Sequence, residues 1–139
     1  TVAIDLNNTI TQQAKSSTSE FLTFLKDELA PGSTTNWRAV NTVTALYSLA
    51  KFHPLWPKAA LAPVVARALI ERLDALSSHE EFNAHTVCNL ATSLPSVNTV
   101  FVFHQMRDPE LESKMFAGLT RGTIRQTLAL DAPARGERA

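Results

Sequence analysis

Apolar positions recur at three- and four-residue spacing over most of this chain, the mark of helices that bury one face. The clearest run spans about Ala60 to Leu76. Leu61, Val64, Val65, Ala68, Leu69, Leu73 and Leu76 share a face there, and Arg67, Glu71, Arg72 and Asp74 lie off it. Pro63 suits the first turn of this helix, where a missing amide is harmless. The stretch before it, Asn36 to Phe52, sets Val40, Val43, Leu46, Tyr47 and Ala50 at helical spacing. Arg38, Asn41, Thr44, Ser48 and Lys51 occupy much of the rest. "HPLWP" then turns the chain, because its two prolines lack amide donors. Nearer the start, Ser17 and Glu20 fit a capping box. It opens a helix through Phe21, Phe24, Leu25 and Leu29 that Pro31-Gly32 closes. Residues up to about Gln13 are polar with scattered apolar positions and predict no definite element.

In the second half, Ser78 with Glu81 fits another capping box, opening a helix that carries Ala84, Val87, Cys88, Ala91 and Leu94 and that Pro95 is expected to stop. "VNTVFVFHQM" has the β-branched and aromatic content of a strand. Val97, Val100, Phe101 and His104 keep helical spacing as well, and in a helical chain the reading is helix. Asp108-Pro109 supplies an N-cap and an N1 proline for a helix through Leu111, Met115, Phe116 and Leu119, with Gly122 as its expected stop. A short helix over Ile124 to Leu130 follows, and 131–139 reads as a flexible tail. Residues 1–130 thus predict one all-α domain of antiparallel amphipathic helices joined by short turns.

Two of these helices look alike. Thr42-Val43 registers on Thr86-Val87 at an offset of 44, which also matches Leu46 with Leu90. Registering Leu49 on Leu94 gives 45 instead and sets Trp37 against Phe82. Either period suits two-helix repeats. "TALYSLAKF", Thr44 to Phe52, resembles the N-L-L-W-A-L-A-K-L signature of the octotricopeptide-repeat family and of the related FAST-kinase-like and RAP-domain proteins. Tyr47 takes the aromatic position, and Leu49, Ala50 and Lys51 match directly. The second copy, "NLATSLPSV", keeps Asn89, Leu90 and Leu94 but has Thr92 at the aromatic position and Pro95 in place of alanine. The resemblance covers Asn36 to Val97. It implies a short α-solenoid of helical hairpins that binds RNA in mitochondria or chloroplasts, with a mitochondrial ribosome contacting rRNA and neighbouring proteins as one setting. The end stretches read as parts of the same pattern, and the chain starts at Thr1, so the expectation is a piece of a longer array.

Composition narrows the chemistry. Thirteen Lys and Arg balance thirteen Asp and Glu, so charge alone does not drive nucleic-acid binding. No uninterrupted apolar run reaches the ~18–20 residues of a membrane-spanning helix. A single cysteine, Cys88, rules out an intrachain disulfide, suits a reducing compartment and, on its apolar face, reads as a small buried hydrophobe. His79 and His85 are six apart, on different helix faces, and no Cys or carboxylate stands at ligand spacing around them, so neither metal nor cofactor is expected. Nothing marks Glu80-Glu81 as an acid–base pair, and no glycine loop cradles a phosphate, so no enzymatic activity is expected. The RNA-facing candidates are Arg38, Asn41 and Lys51 in the first copy and Asn83, His85 and Thr86 in the second. Amides and hydroxyls there would read base edges and cations would meet phosphates. Arg121 and Arg125, with Arg135 and Arg138, form a second basic zone. Trp37, Trp56, Phe101 and Phe103 are expected to fill gaps between helices rather than stack on bases. The alternative function is a protein–protein scaffold in a large complex without RNA contact.

Overall fold

Every regular element among the described residues is helical. The computed structural model describes residues 2–80 and 82–138, with side-chain surroundings for 3–80 and 82–128. Its helices are α1 (Val2–Gln13), α2 (Thr18–Glu28), α3 (Ala39–Phe52), α4 (Ala62–Ser77), α5 (Ala84–Phe103) and α6 (Pro109–Arg138), with a 3-10 turn at Trp56–Lys58. The all-α expectation holds. The helices lie in two layers: α1, α3 and α5 pack side by side in one, and α2, α4 and α6 in the other. Each odd helix also touches the even helix that follows it.

α1, for which the pattern predicted nothing, is anchored by Ile10 and Ala14, both buried, with Leu6 half-buried one turn earlier. α2 begins as expected, with the Ser17 hydroxyl accepting the Glu20 amide at 3.2 Å. Phe21, Leu22, Leu25 and Leu29 fill the core beneath it. His53, the C-cap of α3, ties three helices together. Its Nε2 meets the Ala14 carbonyl at 2.8 Å, so that nitrogen carries the proton. Its Nδ1 therefore accepts from the Thr18 hydroxyl, also at 2.8 Å. The turn that follows drives Trp56 fully into the core against α4 and α5.

The apolar face of α3 differs from its sequence pattern. Asn41, Thr42 and Ser48 are buried and Val40 is exposed. The reason is position: α3 has α1 on one side, α5 on the other and α4 beneath, so only one strip of it meets solvent. α4 follows its pattern more closely, with Val65, Leu69 and Leu73 fully buried, although Ile70 replaces Val64, which is 52% exposed.

Three expected boundaries move. Ser78 is the C-cap of α4, and its hydroxyl bonds back to the Ala75 carbonyl at 2.9 Å. Its expected capping partner Glu81 lies outside the described residues. α5 starts instead at Asn83, whose side chain accepts the Thr86 amide at 2.7 Å. Pro95 does not stop α5 but sits inside it. An interior proline costs roughly 3 kcal/mol. Beyond it Val97, Val100 and Phe101 are each fully buried, worth about 1.5–3 kcal/mol apiece, so packing outweighs the break. The actual stop is a Schellman turn: Met106 N–H bonds to the Phe101 carbonyl at 2.9 Å and Gln105 N–H to that of Val102 at 3.3 Å. Gln105 takes the left-handed position, with φ of 53°. At 20 residues α5 is long and apolar enough to cross a membrane by length and composition alone, yet one whole side of it forms protein core.

The Asp108 side chain caps α6 as expected, accepting the Glu110 amide at 2.9 Å. Gly122 is not a stop either; α6 runs past it as one helix, with no break before Ile124, through the stretch read as a tail. Gly118 and Gly122 instead let α6 approach its neighbours. A Cβ on Gly118 would lie 2.9 Å from Leu73 Cγ, and one on Gly122 would lie 2.7 Å from Phe82 Cδ2. α6 also grips the α4–α5 connection. Arg121 donates to the Asp74 carbonyl and carboxylate and to the Ser77 hydroxyl, at 2.9, 3.0 and 2.9 Å. Arg125 donates to the Glu80 carbonyl and Gln126 to that of Phe82.

Candidate functional site

The layer made by α1, α3 and α5 carries a groove of about 420 Å³ on its outer side. α1 contributes Asn7 and Thr11, one turn apart. α3, in the middle, contributes Val40, Thr44, Tyr47 and Lys51, the strip its neighbours leave uncovered. α5 contributes Asn83, His85 and Asn89. Because the same face of each helix recurs at three- or four-residue spacing, the groove runs across the helices rather than along one of them.

Lys51 alone among the described lining residues carries a full charge. Its ammonium sits 5.7 Å from the Tyr47 ring centroid and 5.3 Å from that of Phe52, a cation–π position that holds the charge beside an accessible aromatic. The other polar groups are amides, hydroxyls and the His85 imidazole. Thr11 and Thr44 hydroxyls donate to the carbonyls of Asn7 and Val40, both at 2.8 Å.

Of the sequence candidates, four line this groove together: Lys51, Asn83, His85 and Thr86. Thr86 is nearly covered, and both its amide and its hydroxyl bond to Asn83 Oδ1. The remaining four lie elsewhere. Asn41 is 0% exposed in the α1–α3 interface, where its amide nitrogen bonds the Ala3 carbonyl at 2.8 Å and Asn7 Oδ1 at 2.7 Å. Arg38 is the N-cap of α3 and pairs with Glu80 at 2.7 Å. The same carboxylate oxygen lies 3.4 Å from the Ala39 amide, a favourable place for an anion at a helix start. Arg121 and Arg125 grip the α4–α5 connection as described; the side chains of Arg135 and Arg138 lie outside the described residues. Trp37, Trp56 and Phe101 are buried as expected, and Phe103 is exposed. Cys88 is exposed, not buried, on the side of α5 away from the core.

Sequence reasoning missed Asn7, Thr11, Thr44, Tyr47 and Asn89. Asn7 and Thr11 belong to a helix with no strong pattern. Tyr47 reads as one more apolar position until the structure shows that its strip of α3 is open.

A second cavity of about 440 Å³ lies beside α4, lined by Pro63, Val64, Arg67, Glu71, His104 and Met106. Its polar groups answer one another: Arg67 faces Glu71 at 4.0 Å, and His104 Nε2 meets the Pro57 carbonyl at 2.8 Å. Among the described residues no three His, Cys, Asp or Glu side chains converge as metal ligands do. No family model, no curated protein and no solved structure matches this chain.

Proposed function

We propose that this protein is a helical-repeat module that binds single-stranded RNA across the α1–α3–α5 groove. The observation that carries the reading is the groove's make-up: an accessible aromatic with a lysine beside it, flanked by neutral amides and hydroxyls. Unpaired bases need a ring to stack on and polar groups at their edges, with one cation for each phosphate held. A repeated register supports the solenoid part of the proposal. α3 and α5 begin at Ala39 and Ala84, and Trp37 and Phe82 are both buried just before them. At the same offset Asn41 and Thr86, Ala45 and Leu90, Ser48 and Ser93, and Leu49 and Leu94 are buried pairs. Val40 and Thr44 in one helix and His85 and Asn89 in the other line the groove. The organellar setting, mitochondrial or chloroplast and including a ribosome, rests on the sequence resemblance.

The test is fluorescence anisotropy with a labelled single-stranded RNA at several KCl concentrations. With Lys51 as the one phosphate contact, affinity falls about threefold between 50 and 200 mM salt, from a slope of about −0.7 per phosphate on single strands. Were Arg38, Arg121 and Arg125 also on phosphates, the same interval would cost about fiftyfold. Tyr47→Leu weakens binding about 5- to 150-fold, the range for loss of one stacked base. Absence of binding, or binding that ignores Tyr47→Leu, refutes the proposal.

One observation favours the second reading, a protein scaffold. Ala84, Cys88, Ala91, Pro95 and Val102 form an exposed side of α5 with no charged residue, the character of a helix that another polypeptide covers. A protein partner that protects Cys88 from labelling while Tyr47→Leu leaves complex formation intact supports it.

A further inference from the structure

Two of the groove's amides, Asn7 and Asn83, are each held in one orientation. Backbone N–H groups can only donate, so Asn41 must turn Oδ1 towards the Arg38 amide, 2.9 Å away. Its Nδ2 then donates to Asn7 Oδ1 at 2.7 Å. Asn7 is thereby oriented with its oxygen towards Asn41, and its NH₂ is left to donate to whatever enters the groove it lines. On the far side the same logic applies to Asn83. Its Oδ1 takes the Thr86 amide at 2.7 Å and the Thr86 hydroxyl at 2.9 Å, leaving its NH₂ as donor. The Thr11 and Thr44 hydroxyl protons, one on α1 and one on α3, are committed to backbone carbonyls, so those oxygens only accept. The groove therefore presents a fixed amide donor at each of its two flanks, Asn7 from α1 and Asn83 at the start of α5, with threonine acceptors on α1 and α3.

We infer that the groove prefers pyrimidine tracts, a specificity that rests on the RNA reading above. Neighbouring helices are about 8–10 Å apart, so Asn7 and Asn83 meet different nucleotides of one strand. Each needs an acceptor on the base it meets. Uracil and cytosine offer two acceptors and one donor on the Watson–Crick edge, whereas adenine offers one of each and guanine one acceptor against two donors. A run of pyrimidines satisfies both amides at every register, and its single donor per base suits the threonine oxygens. A purine run leaves amide donors facing donors in part of its registers, and an unmatched polar group costs affinity.

Labelled 12-mers of uridine, cytidine and adenosine test this by anisotropy. The uridine and cytidine strands are expected to bind about tenfold tighter than the adenosine strand, a factor set by one mismatched polar contact. Asn7→Asp and Asn83→Asp separate polarity from folding. In each, one oxygen still accepts from Asn41 or from Thr86, and aspartate is as good an N-cap as asparagine; the free donor is lost and one negative charge is added. Both variants are expected to bring the pyrimidine-to-adenosine ratio close to one. Asn8→Asp, exposed and outside the groove lining, adds the same charge and leaves the ratio unchanged. Adenosine binding as tightly as uridine to the unaltered protein overturns the inference and leaves the RNA reading standing. A ratio unmoved by both groove variants, or moved equally by Asn8→Asp, overturns it as well. Failure of all three strands to bind removes the RNA reading and this inference together.

Discussion

Replacing Asn41 by alanine separates a structural from a ligand-facing residue. In the sequence Asn41 stands among the polar positions of α3; in the fold it is fully buried and makes three hydrogen bonds. One accepts the Arg38 amide at the start of α3, and two bind α1 through Ala3 and Asn7. Each bond contributes about 1 kcal/mol net, so together about 3 kcal/mol. Alanine returns about 0.6 kcal/mol through its better helix propensity, and water reaching half-buried Asn7 recovers part of one bond. The expected loss is about 2 kcal/mol, a large share of the roughly 5–15 kcal/mol that holds an ordinary domain together. Urea unfolding followed by circular dichroism at 222 nm measures it, as a lower midpoint at unchanged slope. A cycle with Asn7→Ala isolates the α1–α3 amide pair, with a coupling of about 1 kcal/mol expected. A loss within the ±0.5 kcal/mol typical of surface positions, or no coupling, would mean that Asn41 is solvated and that α1 is not docked as described.

Three further outcomes follow from the same packing. Gly122→Ala gains about 1 kcal/mol of helix propensity but forces a carbon against buried Phe82 at 2.7 Å, which costs about 1–3 kcal/mol; a net loss in urea unfolding is expected, and a gain would refute the close approach of α6 to Phe82. Gln105→Gly relieves a left-handed residue and is expected to stabilise by about 1 kcal/mol; a lower urea midpoint refutes the Schellman stop. Cys88, exposed on α5, should react with a thiol-specific chromogenic reagent in the native protein, one equivalent per chain before any unfolding. Reaction only in denaturant would place Cys88 back in the core.

Much of the helical content was legible because helical periodicity needs only local information. α2, α3 and α4 follow from caps, prolines and apolar spacing. Boundaries set by tertiary packing were not legible. Pro95 looks like a stop until Val97, Val100 and Phe101 are seen to be buried beyond it. Gly122 looks like one until Phe82 is found against it. The site was half legible for the same reason. Lys51, Asn83 and His85 lie on turns whose exposure the pattern predicts, whereas Thr86 beside them is buried. Asn41 and the arginines carry the right chemistry, but partners 34 to 47 residues away in the chain claim them, and no local pattern announces such partners.

The grip of α6 on the α4–α5 connection has a consequence for how this sequence can drift under mutation. Arg121, Arg125 and Gln126 hold the carbonyl oxygens of Asp74, Glu80 and Phe82, and every residue type supplies a carbonyl. The side chains of that connection are therefore free to change wherever they do nothing else, while the three that do the holding are not. Variation should accumulate in the segment being held and spare the helix that holds it, the reverse of what exposure alone would suggest for a basic, half-exposed stretch near the end of a chain.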